Sequence, residues 1–396
     1  MSSRSKMTPL ELRASIGLSG IFGLRLLGMF VILPVFAIYA EHLPGGDNLT
    51  LVGLAIGAYG LTQALLQIPF GWWSDRYGRK PVVYIGLVIF AVGSFVAALA
   101  PNIYMVIFGR MLQGAGAISA AVIAMTADLT REDQRAKAMA MIGSTIGVAF
   151  ALSLVASPWL NSLIGVPGIF ALTGVLALGA MLVMWRVIPD APQVPPAPGR
   201  ALKDFWHVLT DPQLARLNWG IFALHAVLMA LFIVVPFGLR DAGLPVGSHW
   251  QVYLPVMLGS FVLMMPAVLQ AGNPVLLRRW FILSIVVLLA AHLALPWLQS
   301  SVWLLSLFLL AFFSPFNALE AMLPTLTTRL APAHAKGTAI GLYSTIQFFG
   351  TFLGASAGGV LYKNWGVDAV IGFDIVLLAI WLILALGMRV PPVKNA

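Results

Sequence analysis

Cysteine is absent from the 396-residue chain, which removes disulfides, thiol chemistry and Cys-type zinc sites. Charge is scarce, at 9% of residues, while 60% are hydrophobic and mean hydropathy is +0.93. A water-soluble protein must cover its surface with polar groups, and this composition cannot do so. A Walker-type loop, Gly-x4-Gly-Lys-Ser/Thr, is missing, which argues against ATP-driven chemistry. The six histidines are scattered; with no metal-ligand cluster and no Ser/His/Asp spacing, the reading is a non-enzyme with no cofactor and no metal. The N-terminal apolar stretch, roughly 16–39, is too long for a secretory signal and has no small-residue cleavage site after it.

What the chain has instead is apolar stretches of about 20 residues, the length of a membrane-spanning helix. Twelve are expected, at 16–39, 50–73, 81–100, 103–127, 138–160 and 166–187, then 215–238, 250–270, 276–296, 301–324, 338–362 and 367–388. The net charge of +9 does not point to nucleic acid, because the basic residues lie in short clusters between apolar segments rather than along one face. With the N-terminus inside, nineteen Lys and Arg fall in cytoplasmic segments, only Arg240 and Lys363 fall outside, and Arg25 and Arg110 lie within spans. That bias predicts a multi-pass protein with both termini in the cytoplasm. Thr8-Pro9-Leu10-Glu11 adds a capping box with proline at the first helical position, so a helix should begin ahead of the first span.

The chain divides near its middle. "DAPQVPPAPGRALKDFWHVLTDPQ" (190–213) starts as a Pro-rich extended linker, and Phe205, Trp206, Val208 and Leu209 could then form a short interfacial helix. The expected units are a six-helix half at 1–189, this cytoplasmic linker at 190–213, and a second half at 214–396. The halves are alike in sequence. "KAMAMIGSTIGVAF" from Lys137 parallels "KGTAIGLYSTIQFFG" from Lys336, and "ADLTR" (127–131) parallels "PTLTTR" (324–329). Such repeats predict a pseudo-twofold axis along the membrane normal, with substrate between the halves.

Directly after twenty uncharged residues comes "GWWSDRYGRKP" (71–81). Topology explains Arg76, Arg79 and Lys80 as inside-facing charges, but not Asp75 or the spacing of Gly71 and Gly78. Twelve spans, a central linker and this stretch together resemble the major facilitator superfamily, whose pattern after the second span is Gly, three residues, Asp, Arg, one residue, Gly, Arg, Lys. The resemblance implies a latch that holds the cytoplasmic side shut while the cavity opens outward, touching the start of the eleventh span, here Gly337-Thr338. Small residues at 71 and 78 permit close approach and a tight reversal, and Asp75 can pair with the neighbouring arginines. "GRMLQGAGA" (109–117) resembles the family's arginine motif, which implies a part for Arg110 in proton coupling. The family also implies that Asp128, in "ADLTRED", pairs with Arg79.

Two further motifs bear on the branch. Gly28 followed by Pro34 in "LRLLGMFVILPVFA" resembles the first-span motif of the drug–proton antiporters, with Ala37 where a second proline is usual. The antiporter pattern of the fifth span ends Gly-Pro-x-x-Gly; after Gly143 and Gly147 this chain has Ser157, Pro158 and Asn161, so the pattern survives weakly and the direction of transport is left open. Through "RLLGMFVILPV", "YGLTQALLQIPFGWWSDRYGRKP" and "ADLTRED" the chain is most similar to the YajR-type transporters. Those carry a soluble C-terminal domain, whereas seven residues follow Arg389 here, so no such domain is expected.

Arg25, Arg110, Glu320 and Asp374 lie within the spans, both arginines in the first half and both acids in the second. Facing each other across a cavity, these charges could compensate. A carboxyl among apolar groups favours its neutral form, and an approaching arginine favours the charged one, so alternating access could couple proton movement to transport. Glu320, flanked by Pro315 and Pro324, is the preferred proton site; Asp374 reads rather as a structural partner. Gln63, Gln67, His225, Asn317, Tyr343 and Gln347 either line the cavity or hydrogen-bond between helices. The expectation is an all-α monomer in the bacterial inner membrane that exports amphipathic small molecules against protons. A metabolite symporter or uniporter is the alternative carrier; a membrane sensor or scaffold reusing the fold is the alternative of another class, weakened by the lack of a signalling domain.

Overall fold

The computed structural model describes residues 6–190, 201–299, 301–332 and 335–389; the Pro-rich start of the linker lies outside them. Among the described residues all regular structure is helical. The first span is α1 (Pro9–Phe30) continued by α2 (Leu33–Ala40), the break falling just before Pro34. Then follow α3 (Leu49–Tyr77), α4 (Arg79–Ala98), and a broken fourth span, α5 (Ile103–Ala115) and α6 (Ser119–Asp128). Helix α1 starts where the capping box places it: the Glu11 amide donates to Thr8 Oγ1 at 3.2 Å, and the Thr8 amide to Glu11 Oε2 at 2.8 Å.

Helix α7 (Glu132–Arg186) has 55 residues, which as a straight rod would be about 80 Å long. It is a hairpin. Gly165, at φ 67°, turns the chain with a backbone that only glycine adopts readily. The contacts of α1 require the reversal, because Glu11 bonds Arg131 before α7 begins while Arg13 donates to the Arg186 carbonyl at its end. Spans five and six are therefore the two arms of α7.

The linker resumes as α8 (Ala201–Thr210), followed by α9 (Pro212–Asp241), a short 3-10 turn (Val246–Ser248), α10 (Trp250–Leu269), α11 (Pro274–Leu298), α12 (Val302–Leu330), α13 (Lys336–Trp365) and α14 (Val367–Leu386). Among the described residues, ten helical segments are long and apolar enough to cross a membrane. Counting both arms of α7 gives eleven, and α13, 30 residues long, is the twelfth. Its sequence, "KGTAIGLYSTIQFFGTFLGASAGGVLYKNW", is too rich in Gly, Ser and Thr to match the others in hydropathy. The protein is thus an all-α polytopic membrane protein of twelve spans in two pseudo-symmetric six-helix halves.

Those small residues of α13 serve packing against α3. Lipid supplies no hydrophobic drive between helices, so close approach depends on side chains that do not hold backbones apart. A Cβ at Gly53 would stand 2.3 Å from the Ala355 carbonyl oxygen, at Gly57 2.9 Å from that of Phe352, and at Gly60 2.7 Å from that of Phe348. In return, a Cβ at Gly359 would stand 2.3 Å from the Leu49 carbonyl. These contacts lie in the half of α3 remote from its basic end. At the same end Arg240 Nη1 bonds Glu41 Oε2 at 2.7 Å, joining α9 to the close of the first span. Farther in, the Phe150 ring lies 5.7 and 5.6 Å from those of Phe313 and Phe316. Toward the basic end a Cβ at Gly143, Gly147, Gly337 or Gly341 would meet nothing within 4 Å. The close glycine contacts of α3 with α13 thus gather at one end of the bundle.

Candidate functional site

The stretch 71–81 is not the loop its charges predict. Helix α3 runs on through Asp75 and Arg76 to Tyr77, and α4 begins at Arg79, so Gly78 alone makes the turn, at φ 95°. The reversal aims Arg79 back along α3. Its guanidinium bonds Asp75 one turn earlier, Ser74 Oγ at 2.9 Å, and Asp128 Oδ2 on α6 at 3.0 Å. Lys80 reaches the segment just past the end of α7, donating to the Ile188 carbonyl at 2.9 Å and meeting Asp190 at 3.0 Å. Arg76 is exposed and lies over the Trp72 and Tyr77 rings. Gly71 faces α6, where a Cβ would meet Ala120 at 3.4 Å. All these partners belong to the first half or to residue 190. The expected touch on Gly337-Thr338 is not among these contacts, and a Cβ at Gly337 would meet nothing within 4 Å.

One contact here had only half a signal in the sequence. The capping residue Glu11 also accepts from the Arg131 backbone and guanidinium at 2.9 Å each, three residues beyond Asp128. Donating to the Glu11 carboxylate raises the Arg131 pKa. The contact ties the start of α1 to the end of α6, so spans one to four are joined by charge at the basic end. The capping box marks Glu11, but nothing local marks its partner.

The intramembrane charges do not compensate one another, contrary to expectation. Arg25 Nη1 donates to Ser119 Oγ at 2.6 Å; Arg110 Nη1 donates to Gln113 Oε1 at 2.8 Å and to the Gly28 carbonyl at 3.4 Å. Both lie inside the first half. Glu320, on α12, accepts from Gln347 Nε2 of α13 at 3.3 Å, and the same amide nitrogen lies 2.8 Å from His225 Nε2 of α9. The Gln347 amide thus bridges Glu320 and His225. Glu320 Oε2 is 4.0 Å from His225 Nε2 and has no hydrogen-bond partner. Three helices of the second half thus converge on one carboxyl that keeps 18% of its side-chain surface accessible. Tyr343, on the same face of α13 as Gln347, is buried with its hydroxyl unpaired. Asp374 is buried against His292 of α11, Oδ2 to Nε2 3.7 Å, and pairs with none of the other three charges; nothing in the sequence marks that histidine's part.

Other candidates serve packing. Gln63 donates to Gln67 at 2.8 Å, both buried on α3, and Asn317 donates to Ser260 of α10 at 2.9 Å. Gly28 lets the Phe90 ring approach to 2.6 Å of where its Cβ would be, and Pro34 opens α2. Ser157 is buried beside Pro158 within α7. Gly143 and Gly147, expected to pack helices, have nothing within 4 Å of where a Cβ would stand.

The sequence profile of the Major Facilitator Superfamily matches residues 18–355 and 275–396. The inner membrane transport protein YajR of Escherichia coli is 43% identical over 98% of this chain and 86% of its own. Multidrug resistance protein 2 of Bacillus subtilis is 25% identical over 94% of this chain and 92% of its own. Among solved structures, a bacterial homologue of the human lysosomal transporter Spinster, inward-facing and occupied, superposes with a TM-score of 0.76 at 15% identity, over 96% of this chain and 97% of that one. The chain is a multi-pass inner-membrane protein and belongs to the Major Facilitator Superfamily of transporters.

Proposed function

We propose that the protein is a secondary active carrier that exports amphipathic small molecules in exchange for protons by alternating access. In this reading the halves 1–189 and 214–396 rock about the linker 190–213, and the protein works as a monomer surrounded by lipid. The Lys/Arg bias sets the basic end and both termini in the cytoplasm, so the conformation described above faces inward. Asp75, Arg76, Arg79, Lys80 and Asp128, with Gly71 and Gly78, then form the half-latch that would close on the start of α13 in the outward-facing state. The name of the Bacillus subtilis relative, a multidrug resistance protein, supports the export of drug-like molecules.

The observation that carries the coupling is the convergence of Glu320, Gln347 and His225. Glu320 takes the proton. Movement of α12 against α13 would withdraw the Gln347 amide, strip the carboxyl of its hydrogen bond and bring it nearer His225, changing its hold on the proton. Proteoliposomes under an imposed pH gradient, screened with dyes and drugs, test this. Glu320→Gln should keep substrate binding and lose substrate-dependent proton flux; full flux in that variant overturns the assignment. The weakened fifth-span pattern at Ser157 and Asn161 favours one second reading, a symporter or uniporter, which the direction of proton flux separates from antiport.

A further inference from the structure

The second half carries cations at its basic end with no carboxylate to meet them. Between residues 214 and 396 the acids are Asp241, Glu320, Asp368 and Asp374. Asp241 closes α9 and Asp368 opens α14, both at the end remote from the basic one, and the other two lie within spans. The first half is built differently, since its Arg79, Lys80 and Arg131 are each met by an acid. Among the described residues Arg216, Arg278, Arg279 and Arg389 have no ion-pair partner. A positive-inside bias accounts for basic residues at this end, but not for their gathering around one groove.

Those four arginines come from three places in the chain and meet at the junction of α11 and α14. A groove of about 730 Å3 there is lined by Arg278 and Arg279 from the start of α11, by Arg389 just past α14, and by Val275, Leu386 and Met388. Its size suits a small organic ligand or a lipid headgroup. Two arginines are spent on the chain itself. Arg278 donates to the Met388 carbonyl at 3.2 Å and the Leu386 carbonyl at 2.8 Å, and Arg216 donates to the Gly387 carbonyl at 2.8 Å. They cover the last carbonyls of α14, the negative end of that helix's dipole. Arg279 and Arg389 are left over: both are exposed, and among the described residues neither guanidinium has a hydrogen-bond partner. Val275, Leu386 and, one turn farther into the span, Ile383 are apolar and exposed. A soluble anion would use the arginines and leave that apolar flank bare. A phospholipid uses both, its phosphate on the guanidinium groups and its chains along the helices.

We infer that this groove binds the headgroup of an anionic phospholipid, with Arg279 and Arg389 donating to its phosphate oxygens and the acyl chains lying along Val275, Ile383 and Leu386. The site faces lipid on the outside of the second half, so it stands whether or not the exchange mechanism does. Native mass spectrometry of the full chain in detergent, titrated with phosphatidylglycerol or with phosphatidylcholine of the same chains, tests it. Phosphatidylglycerol should be retained the more strongly. Arg279→Gln and Arg389→Gln should each weaken its binding about fivefold, the equivalent of about 1 kcal/mol per arginine at an anionic lipid surface. Arg135→Gln removes an exposed charge from the basic end of the first half and should change nothing. Equal retention of the two lipids by the unaltered protein overturns the site. So does a loss with Arg135→Gln as large as with the groove variants, which would mean diffuse surface charge. Displacement of the lipid by inorganic phosphate at constant ionic strength would assign the groove to a soluble anion and overturn the lipid.

Discussion

Replacing Gly53 with alanine should tilt the carrier away from the conformation described above. The new Cβ would stand 2.3 Å from the Ala355 carbonyl oxygen and 3.1 Å from the Gly359 Cα. Both are backbone atoms of α13 that no rotamer change can move, so α3 and α13 must separate by on the order of 1 Å to reach ordinary contact. Overpacking of this kind costs about 1–3 kcal/mol. The cost falls only on the state in which this end is closed, so the ratio of open to closed should rise about 5- to 150-fold. Because the chain lacks cysteine, a single reporter can be read cleanly. A cysteine at Ser356, whose Oγ lies 3.1 Å from the position of a Gly57 Cβ, is shielded while α3 and α13 touch. Its labelling by a membrane-impermeant maleimide, added from the side opposite the basic end, should be slow in the reporter alone and faster by that factor with Gly53→Ala. Gly143→Ala, where a Cβ meets nothing within 4 Å, should leave the rate unchanged. Equal labelling with and without Gly53→Ala, in protein that unfolds at a normal temperature, refutes the claim that glycine contacts hold this end shut.

Other changes test the ends of the bundle. Asp75→Asn should abolish transport in proteoliposomes while membrane insertion stays normal, since it removes a carboxylate from Arg79; full activity would rule out a gating role. Arg240→Ala breaks the pair with Glu41, which is 38% and 41% exposed. Such a half-exposed pair contributes about 1 kcal/mol or less, so reporter labelling at Ser356 should rise under about fivefold, and less in high salt. A rise as large as that from Gly53→Ala would mean the ion pair, not the helix packing, holds the closure.

The twelve spans are legible in the sequence because each must present about 20 apolar residues to lipid, a demand that local composition records. The hairpin of α7 is legible too, since 138–160 and 166–187 read as separate spans; what is not legible is how tight the turn is, which hangs on the left-handed backbone at Gly165. The end of α3 likewise hangs on one glycine. Charges there look like a loop, yet Asp75 and Arg76 continue the helix because Gly78 can turn the chain in a single residue. Breaks at residues 31–32 and 116–118 fall inside single expected spans; Pro34 and Gly116 lie beside them, but neither residue by itself distinguishes a break from a kink.

The amino-acid sequence by itself determined the solvent, the helix count, the repeat of the halves and the family, because each is written in composition, period or a short motif. It also named the ionisable residues inside the spans. Which of them meet was decided only by tertiary structure. Opposite charges in opposite halves invited pairing across a cavity, but helix packing turned Arg25 and Arg110 into the core of one half and set Glu320 against Gln347 and His225 in the other. Sequence order carries no record of the face a distant helix presents, and in a bundle that face decides which charges have partners.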